Sequence, residues 1–241
     1  GALPRGDLLL GGVGATGTGA ANAIAHDADV VVCIGTRLSD FITGSHSLFQ
    51  HPDVRFVGIN VCGADAFKLG GAPVVADAKL ALAALVAGLD AAGWSTDSGY
   101  RDEALAQQRR WSDAVAADLA PRKGERMSQG QLLTALNESA QPGDVIVAAA
   151  GTPPADIHKL WNCGTGTSCH LEFGNSCMAH EIPSALGIRM ARPDAGEIYV
   201  VIGDGTYLMG NTELVTGVQV GLKITVVLVE NEGFQSIRGL Q

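Results

Sequence analysis

Charge is scarce in this chain. Only 17% of its 241 residues are Asp, Glu, Lys or Arg, against 46% apolar. So low a share predicts extensive burial, including surface buried against a partner. Basic runs are also lacking. The longest is Arg109-Arg110, and the net charge is -9. Nucleic acid needs a positive field, so it is excluded as a partner. The five cysteines, at 33, 62, 163, 169 and 177, form no CxxC and no zinc-like spacing. Their odd number and mixed settings predict reduced thiols in a cytoplasmic protein. Gly1 to Asp7 lack the charged start and long apolar core of a signal peptide. No apolar stretch free of charges and glycine clusters approaches about 18 residues, so no membrane span is expected. HExxH, GxSxG and a clear Cys–His arrangement are all missing.

Glycine, by contrast, is abundant, with 32 residues and no collagen-like period. In an α/β pattern, glycines at this density read as tight turns and close backbone approaches. The pattern is indeed α/β. Val30 to Ile34 and Val54 to Val61 are continuous apolar runs of the kind that form buried parallel strands, and Pro73 to Val75 is a shorter one. Asp77 to Leu89 reads as a helix. Residues 93–126 change character and read as a linker containing a helix over Glu103 to Leu119. Ser128 is a candidate N-cap for the next helix. Strands are expected at Val145 to Ala149 and at His170 to Phe173, with Thr152-Pro153-Pro154 breaking the first. A helix over Ile182 to Met190, a strand over Glu197 to Ile202, a crossover helix over Thr212 to Val220 and a strand over Lys223 to Val229 complete the series. The expected architecture is α/β with two doubly wound parallel-sheet domains, residues 1–92 and 127–241, each incomplete.

Two marks at the C-terminal side carry chemistry. Gly203-Asp204-Gly205 closes one apolar run and Glu230-Asn231-Glu232-Gly233 closes the next. A helix-length stretch between the runs makes the strands parallel, so Asp204 and Asn231 emerge at the same sheet edge. Ligands bind at such edges. Gly203 and Gly205 let the backbone turn and approach a bulky ligand. Thr206 and the following N–H groups can donate to phosphate oxygens. Mg²⁺ takes about six oxygens in a tight octahedron and accepts phosphate oxygens readily. Asp204, Asn231 and a carbonyl near Gly233 would supply three. A bare GDG is a common turn, and Asn231 alone reads equally well as a turn former. Gly12, Gly14, Gly17 and Gly19 partly resemble a dinucleotide fingerprint, but close packing accounts for them better. Taken by structure alone, Met178 reads as core filling.

The stretch from Gly203-Asp204-Gly205 to Asn231 resembles the cofactor motif of thiamine diphosphate enzymes, with Glu230 replacing the first residue of the family's paired Asn. The resemblance implies Mg²⁺ ligands in Asp204, Asn231 and the Gly233 carbonyl. It implies cofactor contacts from Cys177, Met178, Gly203, Gly205 and Thr206, with Met178 propping the bent cofactor. Ala28 to Phe41 looks like the central domain of acetolactate-synthase-like members. That domain holds a flavin in some relatives; none is expected here. Residues 1–92 thus resemble part of a central domain and residues 127–241 most of a pyrophosphate-binding domain. The family's activating glutamate lies on a pyrimidine-binding domain that these residues do not match, so no catalytic residue is assigned and the isolated piece is expected to lack turnover. His170, Glu172 and Asn175 are weaker candidates for facing cofactor or substrate. Thr36 to Ser45, Pro52 to Val61, His170 to Gly174 and Tyr207 to Met209 point within the family to hydrolases that open a small cyclic 1,2-diketone in myo-inositol breakdown. An acetolactate-synthase-like carboligase or 2-oxoacid decarboxylase and an inactive structural piece are the alternatives.

Overall fold

The computed structural model describes residues 8–124, 126–172 and 174–239. They fall into two compact units, one up to Asp118 and one from Leu119 onward.

The first unit runs α1 (Gly19–His26), β1 (Val30–Ile34), α2 (Asp40–Thr43), β2 (Arg55–Asn60), α3 (Gly63–Ala66), β3 (Ala72–Val75), α4 (Ala78–Ala91) and α5 (Ser98–Asp118). Its three strands are parallel, in the order β1-β2-β3. Thr18 caps α1 by accepting the Ala21 N–H. The glycines before α1 are occupied by the chain itself. A Cβ at Gly14, where φ is +112°, would lie 2.0 Å from the Phe41 carbonyl oxygen, and the Asn22 amide bonds both the N–H and the carbonyl of Gly14. Close packing is therefore their role in this structure. The helix expected within 93–126 is α5. It packs along α1, where Gly19 leaves room for the Trp111 ring. Burial in this unit is thin at one side: β3 is exposed throughout and α4 buries no residue.

The second unit runs α6 (Gln129–Ser139), β4 (Val145–Ala148), α7 (Thr152–Leu160), β5 (Ser168–Leu171), α8 (Glu181–Ala191), β6 (Ile198–Gly203), α9 (Asp204–Gly210), α10 (Glu213–Gln219), β7 (Thr225–Val229) and α11 (Gln235–Arg238). Ser128 and Gln131 form a reciprocal capping box at α6. The sheet is parallel, in the order β5-β4-β6-β7. Apolar side chains fill both faces. On one, Ile146 and Val201 pack with Leu133 of α6 and Ile157 of α7. On the other, Val145, Val147, Val200 and Ile202 pack with Ile182, Ala185 and Leu186 of α8, and Leu214 of α10 joins them.

Two details differ from the sequence expectation. Thr152-Pro153-Pro154 ends β4 but also starts α7, because proline fits the first helical turn, where its missing N–H is an orphan anyway. The crossover after β6 is two helices, and the first begins at Asp204 itself. Among the described residues no helix is long and apolar enough to cross a membrane.

Candidate functional site

Parallel pairing brings the C-terminal ends of β4, β5, β6 and β7 to one edge of the second unit's sheet. The strand order places a switch there. From β4 the chain steps to β5 on one side, then returns past β4 to β6 on the other. The helix after β4 covers one face and the helices after β6 cover the other. Chains that leave neighbouring strands toward opposite faces open a crevice between them, and open α/β sheets bind ligands there.

Asp204 stands at this edge. The register pairs Gly203 with Val229, so the loops after β6 and β7 start side by side. Asp204 is held by backbone donors: its Oδ1 accepts the Gly205 N–H at 2.8 Å, and its Oδ2 accepts the Gly233 N–H at 2.9 Å. Gly233 reaches back because the turn adopts left-handed backbone at two successive residues, Glu232 with φ +64° and Gly233 with φ +104°. At Gly233 only glycine adopts that angle without strain. Gly205 serves packing, since a Cβ there would lie 2.8 Å from the Phe234 ring. Thr206 is buried and Gly203 is part-buried at the strand end.

Asn231 completes the group. One terminal atom of its side-chain amide lies 2.8 Å from the Gly233 carbonyl oxygen and 3.0 Å from Asp204 Oδ1. With nitrogen at that position, the amide donates to both. With oxygen there, three oxygens converge, an arrangement that is favourable only around a cation. Oxygens on adjacent vertices of an Mg²⁺ octahedron lie roughly 3 Å apart, given metal–oxygen distances of about 2.0–2.1 Å. The observed separations match that spacing. One carboxylate, one amide and one carbonyl also suit a hard cation whose remaining ligands come from phosphate and water. Among the described residues no group of three His, Cys, Asp or Glu gathers as a metal site.

Cys177 and Met178 lie at the same edge, in the loop from β5 to α8. Met178 is not core filling: it is 44% exposed and belongs to neither apolar cluster. The loop touches the end of α9, where Gly210 has no Cβ and Ala179 packs against its backbone. Glu172 organises the loop. Its Oε1 accepts the Asn175 N–H and its Oε2 the Cys177 N–H, both at 2.8 Å. Those two donors, Cys177 first, hold its carboxyl below the ordinary glutamate value. Glu172 therefore acts on the loop's shape, and Asn175 contributes its backbone N–H. His170 lies on β5 with an exposed side chain, and partial desolvation followed by the nearby Arg192 charge lowers its pKa. Phe173 lies outside the described residues.

Comparison with known proteins agrees with this geometry. Residues 1–85 match the family described as thiamine pyrophosphate enzyme, central domain, and residues 149–241 match thiamine pyrophosphate enzyme, C-terminal TPP binding domain. The chain belongs to the thiamine pyrophosphate enzyme family. Its relatives include 3D-(3,5/4)-trihydroxycyclohexane-1,2-dione hydrolases. One from Clostridium tetani is 36% identical over 97% of this chain and 40% of its own length. One from Halalkalibacterium halodurans is 39% identical over 96% of this chain and 40% of its own. One from Bacillus subtilis is 37% identical over the same shares. The chain thus spans about 40% of the length of these curated relatives.

Sequence reasoning missed one residue at this edge and the role of another. It weighed Glu172 as a ligand-facing group, and no local signal marked it as the anchor of the loop ahead of it. It passed over Glu181 altogether, since an acid in the first turn of a helix ordinarily reads as solvated.

Proposed function

We propose that this chain is part of a thiamine diphosphate-dependent hydrolase that cleaves a C–C bond in a cyclic 1,2-diketone. The substrate is 3D-trihydroxycyclohexane-1,2-dione and the product 5-deoxy-glucuronate, in myo-inositol breakdown. The observation that carries the cofactor is the Asn231 amide lying within 3.0 Å of both Asp204 Oδ1 and the Gly233 carbonyl oxygen at the crevice edge. The names of the relatives support the substrate.

In this reading Asp204, Asn231 and the Gly233 carbonyl hold Mg²⁺, which carries the diphosphate. Asp204 supplies the only formal charge, and its two N–H partners fix its orientation before the metal arrives. Thr206 and the turn at Gly203–Gly205 border the diphosphate. Met178, exposed on its loop and steadied through Glu172, gives the cofactor an apolar support. Thiamine diphosphate, when bound, supplies a nucleophilic carbon and an electron sink for cleaving a bond next to a carbonyl. The low charge content and the five free cysteines support a cytoplasmic homodimer or homotetramer.

The test is a reaction assay on the protein that contains this chain. Ring-opened acid from the cyclic dione, dependent on thiamine diphosphate and Mg²⁺, supports the reading. Acetolactate formed from pyruvate instead would assign the chain to a carboligase.

A further inference from the structure

Glu181 opens α8, three residues after Met178, and its side chain is fully buried. Its Oε1 accepts the N–H of Ala150, in the loop that leaves β4 for the crevice, at 3.2 Å. Its Oε2 is buried with no hydrogen-bond partner among the described residues. An ionised carboxylate with one oxygen in that state is strongly disfavoured, and buried acids escape the cost by keeping their proton. A proton on Oε2 makes that oxygen a donor, and a buried donor needs an acceptor. A plain structural tie to Ala150 needs only Oε1, which an amide oxygen supplies equally well.

We propose that Glu181 is a neutral acid whose Oε2–H donates a hydrogen bond to an acceptor atom of the ligand bound in the crevice between β4 and β6. The acceptor belongs to the cofactor or to an oxygen of the polyhydroxylated ring. This makes Glu181 a ligand-positioning residue of the second unit, and it rests on the thiamine diphosphate reading above. Burial pushes the Glu181 carboxyl above its ordinary value. The opposing influences are weaker: the N–H groups of Glu181, Ala150 and Ala149, and the neighbouring His180.

Infrared difference spectroscopy tests this at neutral pH, reading the C=O stretch of a protonated carboxylic acid in the protein that contains this chain. Glu181→Gln assigns the band by removing it, and retains an N–H donor at the same position. The band is expected in the wild type, with a shift on saturation by Mg²⁺–thiamine diphosphate if the acceptor is on the cofactor. A shift that needs the added cyclic dione places the acceptor on the substrate. Calorimetry alongside is expected to show Glu181→Gln within about threefold of wild-type affinity and Glu181→Met weaker by roughly tenfold or more. An absent band, or a band unmoved by both ligands while binding is intact, overturns the proposal. No saturable binding of thiamine diphosphate by the wild type would overturn the cofactor reading together with it.

Discussion

In the second unit β4 is buried at every position and helices close both faces of the sheet. In the first unit every residue of β3 is exposed and α4 presents Leu80 and Val86 outward at 70% and 55% exposure. Both sheets are parallel and both grow from similar apolar runs, VVVCI in β1 and VIVA in β4. An apolar run therefore specifies a strand, while its burial depends on what packs over it. The candidate site stands on the sheet packed from both sides. That placement would suit a metal site, because metal ligands must hold their oxygens to a fraction of an ångström, and closely packed supports do so.

The largest expected effect is at the site: Asp204→Ala should weaken Mg²⁺-dependent thiamine diphosphate binding by more than about 100-fold, read by calorimetry. Next is the platform. Ile146→Ala should cost about 2–5 kcal/mol in denaturant unfolding, because a fully buried side chain leaves a cavity. Leu80→Ser on α4 should stay within about 0.5 kcal/mol. Equal losses would erase the contrast between the units.

Glu181 gives a smaller, pH-dependent effect. Its carboxyl titrates above its ordinary value in the folded state, so the folded chain binds more protons than the unfolded chain between the two values. The stability it contributes is full below the ordinary glutamate pKa and falls as pH rises through the raised one. Glu181→Gln should flatten that decline in a series of melts. The smallest effect is local. Glu172→Ala should speed hydrogen exchange at the Asn175 and Cys177 amides, on the order of tenfold, and leave the β4 amides unchanged.

Much of this fold was legible in the sequence, for physical reasons that also mark where reading failed. Val145 to Ala149 and Glu197 to Ile202 announce buried strands because parallel sheets covered on both faces need unbroken apolar runs. Ser128 announces α6 because a hydroxyl is needed for the orphan N–H groups. Helix α7 was hidden by Pro153-Pro154, which can either break a segment or open one. Asp204 and Asn231 could be paired from strand order alone, since a parallel crossover returns the chain to the same edge. The exposure of Met178, the N–H grip on Glu172 and the burial of Glu181 depend on how distant loops fold over one another, and no local pattern encodes them.

The cofactor reading depends on Asp204, Asn231 and Gly233 holding a divalent ion for the diphosphate. Anomalous diffraction from crystals grown with Mn²⁺ in place of Mg²⁺ and with thiamine diphosphate tests it most directly. One metal peak is expected about 2.1–2.2 Å from an Asp204 carboxylate oxygen, the Asn231 amide oxygen and the Gly233 carbonyl, beside the diphosphate. A diphosphate bound with its metal on other residues, or bound with no metal at this edge, would contradict it.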